Sequence, residues 1–516
     1  MRRQYRNIWL FLLCAIVAQL VWVAGSALAQ VKTYTPGAYP APRTPEYKLD
    51  VTAEELLPIA RVLVRKPARF QPLEPGYGIE PGQSVLILVS SRFDNRVLEA
   101  IKRAIEELGG QLDIMKTYSS PPSKLTGNFG FLEVNEPVPG GSTLSTNLTR
   151  EYAKALRAAA QVRGAKPYDL VINGSGGPPP VRIGFKWEYI PWDTADKFMF
   201  GMAGFPFEVQ DLMDRKGYST LMNARKIHAT DPEGTDMTWK WEPNFAGINR
   251  EEHPDWDLVL AGHLSPIPLL RSPIEADANG IVAGTINHTG TFPRIALTIR
   301  KNEIVKVEGG DEYGQRWQKM LEACRGVQFP GFPAPGCGWF EEAATGSDPW
   351  RARALDFAET RGAASWERGR AGVIHWGIGA ARNLVALPVV EQWFKENKTP
   401  SAGGHWHVHT YFTTMDWTLE DGKVLRVIDK GHWTLLDDPE VRQVAAKYGN
   451  PDEILREKWI PAVPGINIPG DYMADYARDP AKVTTAQQEE LLKKIQAASS
   501  HPYKERPGTS VQAAIP

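Results

Sequence analysis

The sequence predicts an α/β protein in which an open, mostly parallel α/β N-terminal domain precedes a β-rich α+β C-terminal domain. Three observations carry that prediction. The run Ser84-Val85-Leu86-Ile87-Leu88-Val89 is apolar over a strand's length, as a strand buried on both faces requires, and helical periodicity over 97–108 follows it until Gly109-Gly110. Tyr168-Asp169-Leu170-Val171-Ile172-Asn173 repeats the strand pattern after a helical stretch over 151–162. From about residue 240 the period changes to two: 281–285, 294–299 and 304–307 alternate as half-buried strands do, with Lys301-Asn302 as a turn between two of them.

The elements follow in order. Arg2, Arg3 and Arg6 precede an apolar stretch over 8–24 and then Ala27-Leu28-Ala29, a small-x-small cleavage site, so residues 1–29 read as a signal peptide and the protein as exported, periplasmic or secreted. Residues 30–80, rich in Pro and Tyr, read as an extended N-terminal arm or packing segment with one amphipathic piece over 52–64. The α/β domain is placed at 81–238. Ser175-Gly176-Gly177 after its second strand is a poor phosphate loop, because Pro178-Pro179-Pro180 supplies no N–H groups. The β-rich domain is placed at 239–470, with helices over 315–323 and 381–397 and strands over 408–414 and 423–428. Residues 471–516 carry one helix, capped by Thr484 or Thr485, and a mobile tail.

Composition narrows the function. Lys plus Arg number 59 against 60 Asp plus Glu; loss of residues 1–29 takes away three Arg and no acid, leaving 56 against 60. Such a chain has no basic field for nucleic acid, and no membrane contact is expected beyond the signal peptide. The expected partner is a small-molecule or peptide substrate, with a homo-oligomer left open. Cys14 leaves with the signal, and Cys324 and Cys337 are equally readable as a bridge or as two thiols. Without a CxxC there is no cysteine metal site, and without a Gly-x-Ser-x-Gly elbow no serine hydrolase.

The ten histidines carry the chemical signal. In Gly404-His405-Trp406-His407-Val408-His409 a strand places His405, His407 and His409 on one face and Trp406 and Val408 on the other, and imidazoles at i and i+2 reach one ion. Upstream, an apolar strand delivers His375 into Trp376-Gly377-Ile378-Gly379, and Glu341-Glu342 precedes the turn at Gly346-Ser347-Asp348-Pro349. His288, in Asn287-His288-Thr289-Gly290, and His263 are further candidates to line the same cleft, whereas His432 reads as structural. Two imidazoles and one carboxylate suit a single non-haem iron(II); a dinuclear hydrolytic centre needs additional bridging carboxylates.

The order of 227–236, 294–310, Glu342 with Gly346, the His375 segment and the His407-x-His409 segment resembles the superfamily of thermophilic metallo-aminopeptidases (the aminopeptidase T and S type) and 2,5-dihydroxypyridine 5,6-dioxygenase, over about residues 80–430. The resemblance implies an α/β N-terminal domain and a C-terminal domain holding the metal. In the peptidases two metals are held by two Glu, two His and one Asp. Glu342 matches the second Glu, His375 the first His and His407 the His of the closing His-x-Asp. His409 stands where that family has Asp, and Pro268, which cannot ligate, falls at its first Glu. The dioxygenase branch, with one iron on two His and one Asp, fits these departures better.

The sequence therefore points to Glu342, His375, His407 and His409 as metal ligands and to His405, Tyr411 and His288 as catalytic groups, with no organic cofactor. A divalent ion is expected: iron(II) for a mononuclear, ring-cleaving dioxygenase-like enzyme acting on a hydroxylated aromatic or heteroaromatic, zinc or cobalt for the alternative, an aminopeptidase-type metallohydrolase. A non-catalytic binding protein of the same fold is the third reading, with Pro268 as its support. Trp376 and Trp406 adjoin the ligands and are candidates for substrate stacking.

Overall fold

The computed structural model describes residues 39–68, 75–90, 93–117, 168–174, 186–242, 276–328, 332, 334–357, 364–379 and 406–499. The expected signal peptide, the helices expected over 151–162 and 381–397, the loop after Gly174, the tail past 500, and His263, Pro268 and His405 lie outside them. Among the described residues no helix is long and apolar enough to cross a membrane.

Helix α1 (Ala53–Arg65) begins at a capping box: the Glu55 N–H donates to Thr52 Oγ1 at 3.2 Å, and the Thr52 N–H donates back to Glu55 Oε2 at 2.8 Å. Its apolar stripe, Leu56, Leu57, Ala60, Leu63 and Val64, is buried and packs on helix α2 (Asn95–Glu107). The amphipathic piece of the N-terminal segment is thus packed into the core, because an apolar stripe at helical spacing is stable only when another element covers it.

A four-stranded parallel sheet lies beside these helices: β1 (Ser84–Ser90), β2 (Gln111–Thr117), β3 (Leu170–Asn173) and β4 (Lys186–Tyr189), in the order β2-β1-β3-β4. Val85, Leu86, Ile87, Leu88 and Val89 are all buried, as a continuous apolar run in a central parallel strand demands. The expected parallel α/β layer is present.

The rest is dominated by one eleven-stranded antiparallel sheet. Its strands are β5 (Ala224–Thr230), β6 (Asp236–Lys240), β7 (Asn279–Asn287), β8 (Gly290–Arg300), β9 (Glu303–Gly309), β10 (Trp339–Thr345), β11 (Ile374–Gly379), β12 (Trp406–Thr410), β13 (Thr414–Leu419), β14 (Val424–Asp429) and β15 (His432–Trp433). They run in the order β12-β11-β10-β9-β8-β7-β6-β5-β13-β14-β15, so β5 and β6, ahead of residue 239, already belong to this sheet. Lys301 and Asn302 form the β8–β9 turn in the left-handed region, at φ 49° and 71°.

The sheet curls until β12, at its end, returns to β7. Gly284 is the point of approach: a Cβ there would lie 2.6 Å from Val408 Cγ1 and 2.9 Å from the His409 carbonyl oxygen. Trp239, Phe340 and Trp376 meet edge-on or tilted at 5.7–6.1 Å in the core, and helix α3 (Asp311–Cys324) covers the sheet with Tyr313 and Trp317. Cys337 is disulfide-bonded. Helix α4 (Pro480–Ala498) starts earlier than Thr484 or Thr485: Asp479 accepts from the Lys482 N–H at 3.1 Å, and Thr484, inside the helix, donates to the Pro480 carbonyl. Asp followed by Pro at the first helical position is the better start, since Pro lacks the N–H that a cap must satisfy.

Candidate metal centre

Three neighbouring strands build the centre on one face of the sheet. Register sets Glu342 opposite Gly377 and Gly377 opposite His407; in the next row Ala344 faces His375, and His375 faces His409. Side chains two apart share a face, so Glu342, His375, His407 and His409 all project to the same side. Gly377 leaves the middle of its row without a side chain, and the Glu342 carboxylate reaches both imidazoles: Oε2 is 2.8 Å from His375 Nε2 and 3.7 Å from His407 Nε2. A bulge between Phe340 and Glu342 re-aims this part of β10. Trp376 and Val408 point the other way, into the core, where the Trp376 indole N–H donates to Thr410 Oγ1 and Trp406 stacks on Tyr313 at 5.7 Å. The tryptophans expected as stacking candidates are core residues, because the alternation that exposes the histidines to one face turns them to the opposite one.

His288 joins from the β7–β8 hairpin. Asn287 pairs with Gly290, which makes His288-Thr289 a two-residue turn, and Asn287 Oδ1 accepts from the Thr289 N–H and hydroxyl at 2.9 and 3.0 Å. Because β12 returns to β7, the His288 ring lies over His407 at 3.7 Å between centroids, 4.9 Å from His409 and 5.4 Å from His375. His288, His375 and His407 offer ring nitrogens within 4.8 Å of one another, a group that could hold a metal ion.

His409 is fully buried, and neither of its ring nitrogens has a hydrogen-bond partner among the described residues. Buried imidazole without a partner is costly, and a ligated ion would satisfy it. Burial, reinforced by His407 and Arg368, pushes the His409 imidazolium well below its ordinary range. Burial likewise holds His288 neutral, with His407 and Arg368 adding to it. Neutral imidazole is the form that ligates a metal.

Arg368 is the residue the sequence did not single out. Its Nη1 lies 3.2 Å from His288 Nε2, and since a guanidinium only donates, that ring nitrogen accepts. A neutral imidazole has one lone pair, so His288 enters the coordination of an ion only once Arg368 lets go. Five arginines stand between 351 and 370, and nothing in their spacing distinguishes the one that meets the histidines.

Of the expected catalytic groups, His288 is in the centre, His405 lies outside the described residues, and the Tyr411 hydroxyl is bonded to Glu367. The strand ends at Thr410, and the Tyr411 hydroxyl donates to Glu367 Oε2, which also accepts from Arg353 Nη2 at 3.1 Å. This buried network ties Arg353 and Glu367 to the end of β12 and engages the Tyr411 hydroxyl. His432 is structural as expected, bonded to Glu457 and Asp437. A second buried acidic pair adjoins the centre: Asp231 accepts from the Phe412 N–H and the Thr413 hydroxyl, and Glu233 Oε1 accepts from Thr285 and Tyr472 at 2.8 and 2.7 Å. Burial raises both, to about 6 and about 8, Asp231 adding to the rise at Glu233.

No family model and no curated protein matches the chain. Among solved structures it is similar to 2,5-dihydroxypyridine dioxygenase from Pseudomonas putida KT2440, with 15% identity, 76% of this chain and 99% of that chain covered, and a TM-score of 0.42. It is also similar to wild-type AmpT from Thermus thermophilus, with 12% identity, 73% and 98% covered, and a TM-score of 0.39.

Proposed function

We propose that the protein is an exported enzyme that holds one divalent ion on Glu342, His375 and His407, with His409 as a further ligand, and that it opens the ring of a hydroxylated aromatic or heteroaromatic substrate with dioxygen. The observation that carries this reading is the single Glu342 oxygen lying 2.8 and 3.7 Å from two imidazole nitrogens. Ligands about 2.1 Å from a common ion are separated by about 3–3.5 Å, and the two distances bracket that spacing. A set of imidazoles with Glu342 as its carboxylate suits one ion, whereas two ions sharing an attacking hydroxide draw on several bridging carboxylates. Bound there, iron(II) would supply Lewis acidity toward a substrate hydroxyl and reducing equivalents toward dioxygen. His288, at the half-buried edge of the centre, is the group placed to take a proton from the substrate.

A second reading rests on the same rings: three imidazoles are also the donor set of mononuclear zinc hydrolytic sites, which keeps an aminopeptidase-type hydrolase as the alternative. Metal analysis of anaerobically purified protein separates them. One iron per chain, with dioxygen uptake on a dihydroxylated aromatic, is the expected outcome; zinc or cobalt with release of N-terminal residues from peptides would replace it with the hydrolase. Absence of tightly bound metal, unchanged by His407→Ala, would overturn both.

A further inference from the structure

We propose that the cavity between helix α4 and the β7–β8 hairpin is a ligand site outside the metal centre, taking a small primary ammonium compound with an apolar body. The cavity measures about 450 Å³, room enough for such a ligand, and Thr291, Phe357, Asp479, Lys482, Thr485 and Glu489 are in its lining. None of these is a proposed metal ligand, and the whole lining lies within the described residues. Packing sets its walls. Thr291 pairs with Ile286, so the two share a face, and Ile286 packs in one core cluster with Phe357. The Gln488 amide donates to the Leu355 carbonyl at 2.9 Å, which holds α4 against the segment that carries Phe357. Lys482, Thr485 and Glu489 recur three and four residues apart and therefore stand on one side of the helix.

The floor of the cavity is buried and its rim is charged. Thr291 is 6% exposed and Phe357 3%. The Thr291 hydroxyl has no hydrogen-bond partner among the described residues, and a hydroxyl so buried calls for one. The Arg353 guanidinium covers one face of Phe357 at 3.9 Å, which leaves the rest of the ring for an apolar body. On the rim, Asp479 Oδ1 accepts from the Lys482 N–H at 3.1 Å and Oδ2 is left over, while the side chains of Lys482 and Glu489 are in no ion pair among the described residues. Two carboxylates against one lysine make the rim net negative, so it favours a cation. A primary ammonium has three donors, for which Asp479, Glu489 and Thr291 are the acceptors on offer, and Lys482 would meet the carboxylate if the ligand is an amino acid. Gly290 and Thr291 directly follow the His288-Thr289 turn, so an occupant touches the hairpin that brings His288 to the metal centre.

Ligand binding tests this without turnover. Calorimetry on the full chain with chelator present, which keeps the probes from any bound metal, compares phenylethylamine, phenylalanine and phenylpropionate. Wild type is expected to bind phenylethylamine about three- to tenfold more tightly than phenylpropionate. Glu489→Gln should lower that ratio about threefold, and Ala486→Trp, which fills the cavity from an exposed position on its wall, should abolish binding of all three probes. Whether phenylalanine or phenylethylamine binds more tightly identifies the ligand as an amino acid or a simple amine. Absence of a preference for the ammonium in wild type, or a preference unchanged in either variant, overturns the proposal and leaves the reading of the metal centre untouched, since no metal takes part. Unfolding curves check that both variants are folded; were Ala486→Trp not, the ratio in Glu489→Gln would decide alone.

Discussion

At His409 the cost of an unpartnered buried polar group and the benefit of a metal ligand are separable. Two ring nitrogens lie buried without a hydrogen-bond partner among the described residues, and each such group costs about 1–3 kcal/mol. His409→Leu is therefore expected to unfold at a higher temperature than wild type when both are metal-free, and to gain less than wild type when metal is added. Differential scanning calorimetry with and without chelator reads both effects; a leucine variant that is less stable in the metal-free state would assign His409 to packing alone. Glu342 has the opposite character, because its carboxylate is already bonded to His375. That His405, His407 and His409 share one face was readable from alternation in one strand, although not which of them ligate. His288 was a candidate for the same cleft, but its stacking over His407 was not readable, because a hairpin tip 119 residues from His407 has no periodicity tying it to that strand.

At the scale of elements, the contact between β7 and β12 decides whether His288 reaches the centre. Register brings β10, β11 and β12 together, and local sequence predicts each of them; the return of β12 to β7 depends on Gly284, where the first atom of any side chain would collide with Val408 and the His409 carbonyl. Gly284→Ala is expected to cost about 1–3 kcal/mol in denaturant unfolding and to weaken metal binding, since it displaces β12, which carries His407 and His409. Gly326→Ala, where an added Cβ meets nothing within 4 Å, serves as the control and should leave both unchanged. A near-neutral Gly284→Ala would mean that the strands have slack to part. Gly284 looks like any glycine inside a strand pattern, so sequence alone marks a close approach without saying to what.

Across the whole molecule, ionic contacts fasten the C-terminal segment to the sheet. His432 on β15 bonds to Glu457 at 3.0 Å and to Asp437 at 2.9 Å, and Arg370, two residues from Arg368, pairs with Glu457 at 3.6 Å. Burial opposes charge on His432, but the two carboxylates outweigh it and raise the imidazolium from 6.5 to about 9. The folded protein keeps a proton that the unfolded chain loses above pH 6.5. Its stabilisation is complete below that pH and disappears as pH rises through about 9, with a slope of up to about 1.4 kcal/mol per pH unit. His432→Gln should flatten this slope in a pH series of thermal or denaturant unfolding; an identical slope in the variant would place the titration elsewhere.

The sequence by itself determined the elements and the chemistry on offer. Apolar runs and period-two alternation are local patterns that a strand must satisfy wherever it lies, so β1, β3, β7, β8, β9, β11 and β12 were legible, as was the shared face of His407 and His409. The residue types, imidazoles with a carboxylate, were legible as metal donors for the same reason. Only the tertiary structure decided which of them meet. The curl of the sheet brought His288 over His407, the end of β12 turned Tyr411 toward Glu367, and the packed 366–370 segment set Arg368 against the imidazoles. These contacts join residues far apart in the chain, and their geometry comes from packing and register, which no local pattern encodes.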